Sequence, residues 1–264
     1  MSSIFRKVAS RIQEDSVHDQ HFDLFWKYLY YVVIIHEGEV VMNIPMVGDV
    51  EAILFDFEGT LVDFQWKLAE AVAETLAMLG DLGFPEDKIQ SRKYSTLIPE
   101  AMGVAAEIGL HPEAVRERIG SVYDRFDEDA LTRWTLRPDV KDFLREVNVR
   151  GVRRALVSNI GHKILSPALS KLGLEDHFEV TVNRNAVNHP KPNPEGINFA
   201  LGTLGVEKEK AVFVGDSLDD VNAARNAGLR VIIIAEGENP KEEILAANPE
   251  RVIHGYAELI RDIL

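Results

Sequence analysis

Four short apolar runs constrain the fold of this 264-residue chain more than any other feature of its sequence. They lie at 52–55, 155–157, 211–214 and 231–234. Each run is of strand length and is continuous rather than alternating, which is typical of strands buried on both faces of a parallel sheet. Helical patterns follow at 138–149, 162–172, 194–204, 218–227 and 256–264. This alternation of strands and helices predicts an α/β fold with a parallel sheet.

The connection between the first two runs is about a hundred residues long, far longer than an ordinary crossover connection. It contains two apolar helical stripes and a further predicted helix, at 68–79, 115–126 and 94–108. Because this segment is too long for a loop, it is predicted to fold as a helical cap that excludes water from the sheet edge. The predicted organisation is an N-terminal extension at 1–46, a core domain at 47–63 and 137–264, and a helical cap domain at 64–136.

The N-terminal extension differs in character from the rest of the chain. It carries 7 of the 21 aromatic residues and does not follow the strand–helix alternation. One interpretation is a helix at 22–31 that packs on the core, followed by a strand at 39–42. Two alternatives stay open: the extension is an oligomer contact, or translation begins at Met42 or Met46.

Composition and charge exclude several classes of protein. The net charge of −14 disfavours a nucleic-acid binder with a broad basic face, and the absence of cysteine excludes disulfides, thiolate metal sites and cysteine nucleophiles. The longest uncharged apolar run, at 28–35, is too short to span a membrane. Acidic residues precede that run and no cleavage site follows it, so no signal peptide is expected. We therefore expect a cytoplasmic monomer or homodimer without nucleic-acid or membrane partners.

Small polar residues follow three of the apolar runs directly. These residues are Asp56-Phe57-Glu58-Gly59-Thr60, Ser158-Asn159 and Gly215-Asp216-Ser217-Leu218-Asp219-Asp220. The carboxyl ends of parallel strands meet at one edge of a sheet, where open α/β folds bind ligands, so these side chains are expected to converge. The repulsion between two like charges about 4 Å apart is about 4 kcal/mol at an effective dielectric of 20. A cluster of these carboxylates is therefore expected to bind a cation. An all-oxygen ligand set favours Mg²⁺ and a reaction on an anion.

These segments, together with Lys191-Pro192, resemble the four motifs of the haloacid dehalogenase superfamily, in order. The resemblance spans about residues 50 to 235. An insertion directly after the first motif is similar to the cap of phosphoglycolate phosphatase-like members. The resemblance implies a Rossmann-like core with a cap, Mg²⁺ as cofactor and a small phosphorylated metabolite as substrate.

The resemblance also implies a role for each motif residue. Asp56 would be the nucleophile, Glu58 the general acid and base, and Lys191 the group that offsets negative charge. The phosphate would be held by Ser158, Asn159, Lys191 and the turn formed by Phe57, Gly59 and Thr60. The metal would be held by Asp56, the backbone carbonyl of Glu58, Asp216 and, directly or through water, Asp220.

Glu58 departs from the family pattern, because most phosphatases of the superfamily carry Asp two residues after the nucleophile. The longer arm changes the reach of the proton donor. Three alternatives to a phosphatase therefore stay open. They are a haloacid dehalogenase, a phosphomutase that shares the core residues, and a binding or scaffold protein in which Glu58 has disabled turnover.

Overall fold

The structure, a computed structural model, describes residues 32–36, 39–43 and 50–263. Its contacts divide the chain into two compact units, Met1–Gly48 and Asp49–Leu264. In the first unit, strands β1 (Val32–His36) and β2 (Glu39–Asn43) pair as an antiparallel hairpin. The strand predicted at 39–42 is thus confirmed, whereas the helix predicted at 22–31 lies outside the described residues.

A six-stranded parallel sheet forms the centre of the second unit. Its strands are β3 (Ala52–Phe55), β4 (Arg153–Val157), β5 (Val180–Val182), β6 (Ala211–Gly215), β7 (Arg230–Ile234) and β8 (Arg251–Ile253). Their order across the sheet is β5-β4-β3-β6-β7-β8, and all neighbours run parallel. The chain moves outward from β3 to β5 and then returns to β6 on the other side of β3. The strand order therefore reverses between β3 and β6, which is where α/β sheets open a ligand crevice.

Nine helices accompany the sheet in the described part of this unit. They are α1 (Leu68–Asp81), α2 (Tyr94–Glu107), α3 (Pro112–Leu131), α4 (Val140–Val149), α5 (His162–Leu172), α6 (Glu195–Leu204), α7 (Leu218–Ala227), α8 (Lys241–Ala246) and α9 (Tyr256–Ile263). Strand β3 and the apolar part of β6 are buried completely between the helical layers, which explains their continuous apolar runs. The α/β fold class with a Rossmann-like parallel sheet is confirmed. No helix of the described residues is long and apolar enough to cross a membrane.

Three elements of this unit escaped the sequence prediction. Strands β5 and β8 have only three residues each, and α8 has six, so none presents enough periodicity to be recognised. Their positions are set by neighbours: β5 extends the sheet from β4, and β8 extends it from β7.

Helices α1, α2 and α3 occupy the long connection between β3 and β4, as the apolar stripes predict. They pack on one another, with α3 in contact with both α1 and α2. Their shared interior contains the buried residues Val72, Leu79, Leu97, Ile119 and Val122. Residues 49–264 form one compact unit, and the division of that unit into core and cap domains stays a prediction.

Candidate active site

Three aspartates meet at the carboxyl ends of β3 and β6. Asp56 follows β3 directly, and its backbone N–H donates to the carbonyl oxygen of Val214 in β6, 2.9 Å away. Asp216 follows β6, and Asp220 lies one turn further on, in α7. Carboxylate oxygens of these three buried aspartates lie within 4.8 Å of one another. The structure therefore joins residues that are 160 or more positions apart in the chain at the point where the strand order reverses.

Asp216 is held from two sides. The Thr60 hydroxyl donates to Oδ1 at 3.0 Å, and the backbone N–H of Glu238 donates to Oδ2 at 2.7 Å. Two glycines leave the space that this carboxylate occupies: a Cβ on Gly59 would lie 2.1 Å from Oδ2, and one on Gly237 would lie 2.2 Å away. Gly59 also has a φ of +78°, which disfavours any larger residue. The turn after β3 is therefore shaped around the Asp216 carboxylate.

Lys191 supplies a buried positive charge to this cluster. Its Nζ donates to Oδ1 of Asp56 at 2.5 Å and to Oδ1 of Asp220 at 2.6 Å. Burial alone would lower the pKa of Lys191, but Asp220 and Asp56 hold it above its ordinary value. Burial raises the pKa of Asp56 to about 6, although the charge of Lys191 opposes this. Burial and the charge of Asp220 raise the pKa of Asp216 well above its usual range.

Asp220 is oriented by the start of α7. Its Oδ2 accepts hydrogen bonds from the backbone N–H groups of Asp216 and Ser217, at 3.0 and 3.1 Å, and from the Ser217 hydroxyl at 2.7 Å. In return, the Ser217 hydroxyl accepts from the Asp220 backbone N–H, which completes a capping box. Both oxygens of Asp220 are thus engaged, one with the helix start and one with Lys191. Asp220 therefore positions the Lys191 ammonium within the cluster of three aspartates.

Ser158 and Asn159 follow β4 and line the same crevice. The Asn159 side chain forms two bonds with the backbone of Lys191: Nδ2 donates to the carbonyl oxygen, and Oδ1 accepts from the N–H, both at 3.0 Å. The amide therefore holds the Lys191 loop beside the site, and the phosphate-binding role that the resemblance implies for Asn159 stays a prediction. The Ser158 hydroxyl is buried and accepts from the Ile160 backbone N–H at 3.3 Å.

The Glu58 side chain lies outside the cluster of three aspartates. Its Oε1 accepts two hydrogen bonds of 2.8 Å, from the backbone N–H of Gln65 and from Nε1 of Trp134. Burial raises the pKa of Glu58 to about 7, although both hydrogen bonds oppose the shift. Glu58 lies two residues after Asp56 in the chain. Its side chain contacts the segment that leads into α1, at Gln65, and the segment that leaves α3, at Trp134. The carboxylate of Glu58 is thus engaged away from the three aspartates, and a metal role for its backbone carbonyl stays a prediction.

Comparison with known proteins agrees with this arrangement. The haloacid dehalogenase-like hydrolase family matches residues 50–228. The chain belongs to the haloacid dehalogenase-like hydrolases. Its similar relatives include two proteins named phosphoglycolate phosphatase. That of Yersinia pestis is 31% identical over 219 residues, which are 80% of this chain and 92% of the relative. That of Photorhabdus laumondii is 29% identical over 217 residues, 81% of this chain and 92% of the relative.

A solved structure shows the same fold. CbbY from Rhodobacter sphaeroides, determined in complex with phosphate, is 25% identical and has a TM-score of 0.56. The match covers 80% of this chain and 96% of CbbY. The match therefore extends over nearly the full length of CbbY.

Two further features of this haloacid dehalogenase-like hydrolase escaped the sequence analysis. Glu238 lies beside Asp219 at the site, and its burial, with the Asp219 charge, raises its pKa to about 8. Arg184 also lines the site and forms ion pairs with Asp124 at 2.6 Å and Asp127 at 3.1 Å. These residues follow no recognisable motif, and only their arrival at the site after folding identifies them.

Proposed function

We propose that this hydrolase is a Mg²⁺-dependent phosphomonoesterase that acts through an aspartyl-phosphate intermediate on Asp56. One observation carries the proposal: Asp56 lies in a buried cluster of three aspartates, and the Lys191 ammonium pairs with two of them, Asp56 and Asp220. A carboxylate needs no deprotonation by a base before it attacks phosphorus, and Lys191 holds it in place. The surrounding charge suits a reaction that brings a divalent cation and a phosphate together.

The residues present fit Mg²⁺. Asp56, Asp216 and Asp220 offer carboxylate oxygens within 4.8 Å of one another, and Mg²⁺ would be held by Asp56, Asp216 and the Glu58 backbone carbonyl, with Asp220 directly or through water. Three aspartates outnumber the one ammonium group, so a bound divalent cation would compensate the remaining negative charge. A Cβ on Gly59 or Gly237 would collide with the Asp216 carboxylate, so both glycines keep that oxygen donor in the cluster. When bound, Mg²⁺ would supply positive charge to the phosphate oxygens.

The chemistry assigned to the protein side chains balances in two steps. In the first, an Asp56 carboxylate oxygen attacks phosphorus and the bond from phosphorus to the ester oxygen breaks, while Glu58 donates a proton to that oxygen to release an alcohol. In the second, water attacks the phosphorus, its proton returns to Glu58, and the bond to Asp56 breaks to release inorganic phosphate. Lys191 offsets the negative charge that gathers around Asp56 in both steps.

A small phosphorylated metabolite is the substrate class that we propose. The site residues enclose a cavity of about 40 Å³, which has room for only a few water molecules in the observed conformation. The name of the similar relatives makes 2-phosphoglycolate the first compound for a substrate panel.

The decisive test is phosphate release from p-nitrophenyl phosphate, measured with Mg²⁺ and with a chelator. We expect metal-dependent release in the wild type and a loss of nearly all turnover in Asp56→Asn, since an amide is a poor nucleophile. Asp81→Asn is the matched control, because Asp81 is exposed at the end of α1. Full activity of Asp56→Asn would refute the assignment.

Other outcomes identify the alternatives. Chloride release from 2-chloroacids without phosphatase activity would indicate a dehalogenase. Interconversion of sugar-phosphate isomers without net release of phosphate would indicate a phosphomutase. A folded wild-type protein with none of these activities would favour the binding or scaffold interpretation.

A further inference from the structure

Two chain connections lead into and out of helices α1–α3, and they pair with each other beside the site. The first connection, residues 56–67, joins β3 to α1, and the second, residues 132–139, joins α3 to α4. The backbone N–H of Asp63 donates to the Thr135 carbonyl at 3.1 Å, and that of Arg137 donates to the Leu61 carbonyl at 3.0 Å. The two connections are therefore tied to each other by backbone hydrogen bonds.

Glu58 is bonded to both connections through one oxygen atom. Its Oε1 accepts from the Gln65 backbone N–H in the first connection and from Trp134 Nε1 in the second, each at 2.8 Å. Within the described residues, its Oε2 accepts no hydrogen bond that meets ordinary distance criteria. One oxygen thus anchors the side chain, and the other is left for proton exchange.

The indole of Trp134 is itself fixed by packing. The side chain is 3% exposed, and its ring meets the ring of Phe57 edge to face, with centroids 5.1 Å apart at an interplanar angle of 83°. Phe57 lies between Asp56 and Glu58 in the chain and is fully buried. The indole N–H therefore cannot swing away from Glu58 without disturbing the turn that carries Asp56.

We propose that Trp134 is a positioning residue that holds Glu58 in place for proton transfer to the leaving oxygen, and that the longer arm of Glu58 serves to reach it. The proposal rests on the proposed function, in which Glu58 is the general acid and base. Through the Trp134 bond, correct placement of the proton donor depends on the second connection as well as the first. The helical segment thereby acts on the chemistry through its connections.

The test compares two leaving groups in one variant. Trp134→Phe removes the N–H donor and keeps an aromatic ring against Phe57. Hydrolysis of an alkyl phosphate requires protonation of the leaving oxygen, whereas p-nitrophenolate leaves readily as an anion. Because general acid catalysis contributes about 10²–10⁴-fold, we expect kcat/KM for ethyl phosphate, which reports the steps up to formation of the aspartyl-phosphate, to fall at least about tenfold more than kcat/KM for p-nitrophenyl phosphate.

Two comparisons make this test specific. In a Glu58→Gln background, Trp134→Phe should cause no further change in the ratio of the two rates, since the residue acts through Glu58. Trp66→Phe should leave the ratio unchanged, because the buried Nε1 of Trp66 has no hydrogen-bond partner among the described residues. If Trp134→Phe does not fold, Trp134→Met provides the same comparison, since methionine also lacks the donor and adapts to irregular space.

The outcomes separate this proposal from the proposed function. Equal losses of kcat/KM on both substrates, or an additive effect in the Glu58→Gln background, would overturn the role of Trp134 while leaving the phosphatase intact. Wild-type protein without phosphatase activity, or an active Asp56→Asn variant, would overturn the proposed function itself. A selective loss on ethyl phosphate that disappears in the Glu58→Gln background would support the inference.

Discussion

At the scale of single residues, the central feature is the balance of charge around Lys191. Its ammonium lies between Asp56 and Asp220 and is 5% exposed, so nearly all of its hydration is replaced by two carboxylates. Such a buried charge is tolerated because both partners are present, and removal of one partner leaves an uncompensated charge. The same arrangement aims Asp56 and keeps it from pairing elsewhere. Lys191 is thus needed for both the geometry and the charge of the site.

Lys191→Met should therefore reduce kcat for p-nitrophenyl phosphate by about 10²–10³-fold, the range observed when one donor that stabilises a transition state is removed. Methionine preserves the approximate volume and removes the charge. The control is Lys88→Met, since Lys88 forms a surface ion pair with Glu107 and is 51% exposed. Steady-state kinetics on both variants decide the matter, and comparable rates for the two would contradict the role of Lys191.

At the scale of elements, α7 begins at the site, and the hydrogen bonds that cap its N-terminus also orient Asp220 in the cluster of aspartates. Ser217 caps the helix by accepting from the Asp220 backbone N–H and by donating to Oδ2 of Asp220. These bonds satisfy a helix N–H group that has no partner within the helix, which is worth about 1 kcal/mol. They also aim the other oxygen of Asp220 at Lys191. Helix stability and site geometry therefore share the same hydrogen bonds.

Ser217→Ala is expected to lower the free energy of unfolding by about 1 kcal/mol and to lower kcat as well, because Asp220 loses its hydroxyl donor. Urea denaturation provides the first value and phosphatase kinetics the second. Ser121→Ala serves as the control, since the Ser121 hydroxyl is exposed and donates to the Glu117 carbonyl of its own helix. A stability loss no greater than that of Ser121→Ala would show that the cap contributes little.

At the scale of the whole second unit, a buried ion pair ties helix α3 to the loops that follow β4 and β5. Arg184 pairs with Asp127, which is 2% exposed, and also donates to the Asn159 carbonyl at 2.7 Å. Asp127 in turn accepts from the Gly161 backbone N–H at 3.0 Å. Burial raises the pKa of Asp127, and the positive charge of Arg184 opposes that shift. The guanidinium therefore stabilises the charged form of this buried carboxylate. The connection holds the helical segment against the sheet beside the site.

Loss of the Arg184 charge should be costly for this reason. We expect Arg184→Met to lower the free energy of unfolding by about 3–5 kcal/mol, because Asp127 is left buried without its partner. The double variant Arg184→Met/Asp127→Leu should recover much of that loss. Arg125→Met is the matched control: Arg125 pairs with Glu74 at the surface, where such pairs contribute about 0–1 kcal/mol.

Chemical denaturation with linear extrapolation measures all three variants. A similar loss for Arg184→Met and Arg125→Met would contradict a stabilising role for the buried pair. A double variant that is less stable than Arg184→Met would show that the remaining carboxylate is not the cause.

The sequence by itself determined the fold class and the positions of four of the sheet strands in the chain, because a strand buried on both faces needs a continuous apolar run whatever lies beside it. It also determined which aspartates arrive at the sheet edge, since each directly follows such a run or caps the next helix. Only the tertiary structure decided where Glu58 and Asn159 direct their side chains, and that Arg184 pairs with Asp127. Those contacts join residues 32–76 positions apart, and no local period encodes them. The three-residue strands β5 and β8 depend on neighbours for the same reason, because their pairing energy exists only once the sheet has formed.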